Sequence, residues 1–149
     1  MTYSHELLPN QRFVLYAEDD TDDIFLIRKS FEENKVTVGL VTVKDGVEAL
    51  AFLEAHQDPL HRPCLIILDV NMPKLNGRDA LVRIRSMEAF ADTPILLFTT
   101  SSMELHRQFA KKYRADFMTK PLRDYQLELI IRKLEIPVTL KYKSDLPRT

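Results

Sequence analysis

The chain has 149 residues, 45% hydrophobic and 29% charged, with a formal net charge of −1. That length builds one domain with a real core and is too short for two ordinary ones. The balance excludes a disordered chain, and the near-zero charge supplies no basic field for non-specific nucleic-acid binding.

Short apolar runs alternate along the chain with segments of helical period. The first run is Phe13-Val14-Leu15-Tyr16-Ala17, followed by a helix whose face carries Ile24, Ile27 and Phe31, with Asp20, Thr21 and Asp22 placed to cap it. A more mixed run over 38–43 suits an edge strand. After the turn signal Asp45-Gly46, Val47, Leu50 and Leu53 form a second helical stripe. Cys64-Leu65-Ile66-Ile67-Leu68 is the third run, and Leu81, Ile84 and Met87 form the third stripe. Ile95-Leu96-Leu97-Phe98 precedes a helix starting near Ser101 or Ser102 with Leu105, Phe109 and Tyr113. The weaker Asp116-Phe117-Met118-Thr119 precedes the most regular stripe, Leu127, Ile130, Ile131 and Leu134, which Pro137 ends. Continuously apolar runs read as strands buried on both faces. Five βα units with right-handed crossovers predict an α/β fold: a doubly wound (βα)5 unit over 13–136. Residues 1–12 and 137–149 are expected to flank it as extensions, with no output domain.

In such a sheet, sites form at the carboxyl ends of strands. The first run ends in Glu18-Asp19-Asp20, the third in Asp69, the fourth in Thr99-Thr100 and the fifth in Lys120-Pro121. Ordinary loop polarity accounts for Lys44, Asp45 and Asp20. It accounts poorly for Asp69, a lone acid directly behind five apolar residues, where desolvation is costly and neighbouring acids raise its pKa. Oxygen donors without His or Cys point to a hard cation, Mg²⁺ or alternatively Mn²⁺. A carboxylate can attack phosphorus to give an aspartyl phosphate. Lys120 and a metal can neutralise the phosphoryl oxygens, and Thr99 can donate a hydrogen bond to one.

Four segments resemble the signatures of response-regulator receiver domains, in the right order and spacing. They are residues 13–20 ending in Glu18-Asp19-Asp20, Leu68-Asp69-Val70-Asn71-Met72-Pro73-Lys74-Leu75-Asn76-Gly77, Leu97-Phe98-Thr99-Thr100-Ser101, and Thr119-Lys120-Pro121. The resemblance covers about residues 12–136 and implies a flavodoxin-like sheet of five parallel strands in the order 2-1-3-4-5. It implies that Asp69 is the phosphoacceptor. It makes Asp19 a direct Mg²⁺ ligand, Glu18 one acting through water, and Asn71 a donor of its backbone carbonyl. Thr99 and Lys120 would contact the phosphoryl group. Lys120-Pro121 would be a cis peptide, Gly77 would let the loop after Asp69 close, and Phe117 would take the place of the family's switch aromatic, without the hydroxyl that a tyrosine carries there. Plain core is the competing reading for Phe117. The Glu18-Asp19-x-x-Asp22-Asp23 opening and the Thr99-Thr100-Ser101 ending resemble single-domain regulators paired with bacterial phytochromes.

The expected function is thus a phosphorylation-activated switch, not a turnover enzyme, with slow self-catalysed dephosphorylation. Its expected partners are a sensor histidine kinase, of the phytochrome type by the closer resemblance, and a downstream protein target, with no direct DNA binding. Output is expected through the fourth and fifth helices and last strand, with a homodimer involving the 137–149 tail as one form of it. Haloacid-dehalogenase-type phosphatases also form an aspartyl phosphate, but carry a second Asp two residues after the nucleophile, where Asn71 stands here, and a cap domain that the length does not accommodate. Only three glycines are present, and none sits in a phosphate-cradling loop. The complete acid, Thr and Lys set argues against a degenerate scaffold. Cys64, the single cysteine, excludes an intrachain disulfide and reads as a buried inert thiol. His5, His56, His61 and His106 read as scattered surface residues, and Lys111, Lys112 and Arg114 as a solvated face or part of an output surface. No apolar run reaches the length of a membrane span, and no signal peptide is visible, so a cytoplasmic location is expected.

Overall fold

The computed structural model describes residues 7–135. Five strands alternate with five helices: β1 (Phe13–Ala17), α1 (Thr21–Glu33), β2 (Gly39–Val43), α2 (Gly46–Ala55), β3 (Leu65–Asp69), α3 (Gly77–Arg85), β4 (Ile95–Thr99), α4 (Glu104–Lys112), β5 (Asp116–Thr119) and α5 (Asp124–Glu135). A single 3-10 turn, Glu88–Phe90, follows α3. All strand pairings are parallel, in the order β2-β1-β3-β4-β5. This is the expected flavodoxin-like α/β arrangement, with β2 at one edge. Pro137, His5 and the 137–149 tail, with the dimer contact expected of it, lie outside the described residues.

Alternation along each strand builds two cores. Phe13, Leu15 and Ala17 join Ile66, Leu68, Ile95 and Leu97 on one face, against α2 and α3 and partly buried Phe109 of α4. Val14 and Tyr16 join Leu65, Ile67, Leu96 and Phe98 on the other, against Ile27 and Phe31 of α1 and Leu127, Ile130 and Leu134 of α5. A strand covered on both faces can be apolar at every position, which is why β1, β3 and β4 read as unbroken runs.

Two stripes differ from expectation. In α2 the buried face is Ala49, Phe52 and Leu53, while Val47 is 51% exposed and Leu50 only partly buried. In α4 only Ala110 is fully buried, with Phe109 and Tyr113 partly so, and Leu105 is 64% exposed. Small alanines let these helices lie close to the sheet, and the larger side chains beside them turn outward. α4 also starts later than expected, at Glu104, and Met87 lies past the end of α3, partly buried in the turn. Asp45 is no mere loop residue. It is 3% exposed, caps α2 by accepting from the Glu48 N–H at 2.8 Å, and has the Lys74 ammonium 3.8 Å away.

The end of α3 carries one further tie. The Arg85 guanidinium donates to the carbonyls of Phe90, Thr93, Tyr113 and Arg114 at 2.7–3.0 Å. One side chain thereby joins α3, the approach to β4 and the corner between α4 and β5.

Candidate phosphoacceptor and metal site

The carboxyl ends of β1, β3, β4 and β5 bring the predicted residues to one rim. Asp69 ends β3 and is 5% exposed; Glu18 follows β1 and is fully covered. Asp19, beside it, faces solvent. Oxygens of Glu18, Asp19 and Asp69 lie within 4.8 Å of one another, a spacing compatible with one metal ion. The Lys120 ammonium enters from the end of β5. It lies 2.6 Å from Glu18 Oε1, 2.8 Å from Asp23 Oδ2 and 3.4 Å from Asp69 Oδ2, with its side chain 7% exposed. Three carboxylates thus meet one ammonium, and with Asp19 beside them the rim carries an excess of negative charge that a divalent cation would balance.

Electrostatics follow from this crowding. Burial, then the hydrogen bond and charge of Glu18, push the Asp69 carboxyl up to about 7, against the pull of Lys120. Burial pulls the Lys120 ammonium down, but hydrogen bonds to Asp23 and Glu18 and the charge of Asp69 outweigh it and hold it above its ordinary value. Burial, reinforced by Glu18, raises Tyr16 strongly, so its hydroxyl stays protonated and donates to Glu18 Oε1 at 2.9 Å.

The loop after β3 wraps the acid. The Asn71 N–H donates to Asp69 Oδ1 at 3.3 Å. Gly77 closes the loop by lacking a side chain: its N–H donates to the Val70 carbonyl at 3.0 Å, and a Cβ there would collide with the Asp69 carbonyl oxygen. The left-handed turn in this loop falls on Lys74 (φ 66°), not on the glycine. Lys120-Pro121 is cis, as the resemblance implied. Thr99 is fully covered at the end of β4, where its Oγ1 accepts from the Ser101 N–H at 3.2 Å, leaving its proton to donate elsewhere. Phe117 stands apart from the acids. It is partly buried on β5 with the Arg107 guanidinium of α4 over its ring at 4.8 Å.

Two members of the network were not singled out from sequence. In the sequence Asp23 stands only as part of a motif, and Tyr16 only as part of an apolar run. The helical offset could have pointed to Asp23, which lies in the first turn of a helix that starts at the rim.

Residues 14–132 match the response regulator receiver domain. The chain belongs to that family. It is a receiver domain of the two-component type, a signalling module. The chain is 32% identical over 95 residues to the response regulator Rcp1 of Synechocystis sp., a match covering 62% of this chain and 65% of Rcp1. Among solved structures it resembles the phosphorylated cyanobacterial phytochrome response regulator RcpA (TM-score 0.70, 31% identity, 84% of this chain and 91% of that one). It also resembles the bacteriophytochrome response regulator RtBRR (TM-score 0.71, 28% identity, 83% and 78%). Among the described residues of this receiver domain, no helix is long and apolar enough to cross a membrane.

Proposed function

We propose that Asp69 accepts a phosphoryl group from a sensor histidine kinase in a Mg²⁺-dependent reaction, and that the 13–136 unit passes the change on by protein contact. The observation that carries this reading is the Lys120 ammonium 3.4 Å from a buried Asp69 carboxylate, inside a group of acids that outnumber it. Oxygen-only donors from Glu18, Asp19 and Asp69 suit Mg²⁺, with Mn²⁺ as a substitute. Asp19 and Asp69 would hold the ion with the Asn71 carbonyl, and Glu18 through water. Bound there, it would screen the carboxylates and neutralise charge on the phosphoryl oxygens.

The chain's own groups supply the rest. Asp69 attacks phosphorus as its carboxylate, so no general base is needed once its proton is gone. The new O–P bond forms as the P–N bond of the donor phosphohistidine breaks. Lys120 meets the transferred oxygens, and Thr99 donates its free hydroxyl proton to one of them. Phe117 and the segment after Thr99 then repack, shifting the population of the face made by α4, β5 and α5. A cavity of about 760 Å³ on that face is lined by Phe117, Tyr125 and Leu129 and by Arg107, Lys111 and Arg132. We assign the downstream protein target there, with a second copy of the chain as another user of the face. Relatives whose names carry the word phytochrome support a phytochrome-type kinase as donor, and a cytoplasmic setting follows from that partnership.

Incubation with a small phosphodonor, with and without Mg²⁺, followed by intact-mass measurement and mapping, tests the reading. One phosphoryl group on Asp69, gained only with the metal, is expected. An adduct elsewhere, or sustained phosphate release without an adduct, would overturn it.

A further inference from the structure

The Asp23 carboxylate does not serve as a cap for its own helix. It occupies the third position of α1, where an acid often reaches back to the N–H of the capping residue. Here that N–H, on Asp20, donates to Glu18 Oε2 at 3.3 Å. The next two free N–H groups, on Asp22 and Asp23, are taken by Asp20 Oδ1 at 2.8 and 3.2 Å. The Asp23 carboxylate instead crosses to Lys120, 97 residues further along the chain, and meets its ammonium at 2.8 Å.

An ammonium has three N–H donors and no acceptor. Glu18 takes one at 2.6 Å and Asp23 takes a second at 2.8 Å. With two directions fixed, the third is determined, and the remaining neighbour is Asp69 Oδ2 at 3.4 Å, beyond ordinary hydrogen-bond reach. We infer that Asp23 is a positioning residue: with Glu18 it clamps the Lys120 ammonium so that its third N–H is aimed at the space where a phosphoryl oxygen on Asp69 would sit. This deepens the proposed function and rests on Asp69 being the phosphoacceptor.

The clamp has a clear alternative, a field effect in which Asp23 acts only as a negative charge near the site. Asp23→Asn separates the two, because it keeps an acceptor oxygen and removes the charge. Asp23→Ala removes both, and a first-turn helix position one quarter exposed tolerates alanine. Phosphoryl incorporation from a small phosphodonor is measured at saturating Mg²⁺ for each chain. Misaimed groups cost rate steeply, so Asp23→Ala is expected to slow the step roughly tenfold or more, with Asp23→Asn recovering most of the loss. In the unphosphorylated chain, ¹⁵N-resolved spectra of the Lys120 ammonium report the clamp directly. Its slowly exchanging signal is expected to survive in Asp23→Asn and to vanish in Asp23→Ala. An unchanged ammonium signal in Asp23→Ala, a parent-like rate in it, or an Asn variant as slow as the Ala variant would each overturn the clamp alone. A parent chain that gains no phosphate would overturn the phosphoacceptor reading, and this one with it.

Discussion

α1 and α4 both begin at the rim that carries Asp69, yet they are anchored differently. α1 runs for 13 residues, is capped twice by Asp20, and is tied to Lys120 through Asp23. α4 runs for 9 residues from Glu104, has Met103 at its N-cap with no side-chain cap, and fully buries only Ala110. Its other ties among neighbouring elements include two arginine–ring contacts, Arg78 over Phe109 at 4.4 Å and Arg107 over Phe117 at 4.8 Å. Charge at the site is therefore held on the α1 side, while the α4 side is attached by softer contacts. A switch needs both: a rigid frame to aim the chemistry and a weakly held element to respond.

The comparison can be broken most severely at its centre. Asp69→Asn is expected to abolish phosphoryl incorporation completely, as read by intact mass, while leaving both helices folded by circular dichroism. Next in size, Lys120→Ala leaves Glu18 and Asp23 without their buried partner and should cost about 3 kcal/mol or more in the metal-free chain. Arg107→Ala, on the α4 side, should cost only about 0.5–1 kcal/mol. Urea unfolding of the two variants reads the contrast directly, and equal losses would contradict it.

A pH series sharpens the frame side. The Asp69 carboxyl sits at about 7 in the folded chain against an ordinary value of 3.8. Between those values the folded state holds a proton that the unfolded state has lost. This group's contribution is therefore fully present below about pH 4 and is lost as pH rises through about 7. The metal-free parent should lose stability relative to Asp69→Asn over that window. Mg²⁺ must displace the same proton, so its affinity should fall up to about tenfold per unit below pH 7, measured by titration calorimetry. A parent-minus-variant difference that is flat with pH would contradict the raised pKa. The smallest effects lie at the helix starts. Asp20→Ala should cost about 1 kcal/mol, and Met103→Ser should add about 0.5 kcal/mol by giving α4 the cap it lacks.

Much of this frame was legible in sequence because strands covered on both faces need apolar side chains at every position. β1, β3 and β4 announced themselves in that way, and the acids behind them could not be explained by core packing. The faces of α1 and α5 were equally plain, since Ile27, Phe31, Leu127, Ile130 and Leu134 are large and regularly spaced. Periodicity misplaces the phase of α2 and α4 because it weighs large side chains, while the small Ala49 and Ala110 are buried on the faces that meet the sheet. Asp45 reads as loop polarity in the sequence because a cap and a solvated acid look alike without a third dimension. Asp23 stayed hidden for a related reason: its partner is 97 residues away, and no local pattern records a contact made only by the fold.

Arg85 adds a mechanical consequence. Four carbonyls converge on one planar cation, two from the approach to β4 and two from the corner where α4 hands over to β5. Sliding α4 bodily along the sheet would tear that fastening, whereas tipping its rim end leaves it intact. The far end of α4 is therefore pinned at Tyr113 and Arg114, while its rim end at Met103 has no side-chain cap to hold it, so any tilt of the helix would be widest beside the acids and least at Lys111.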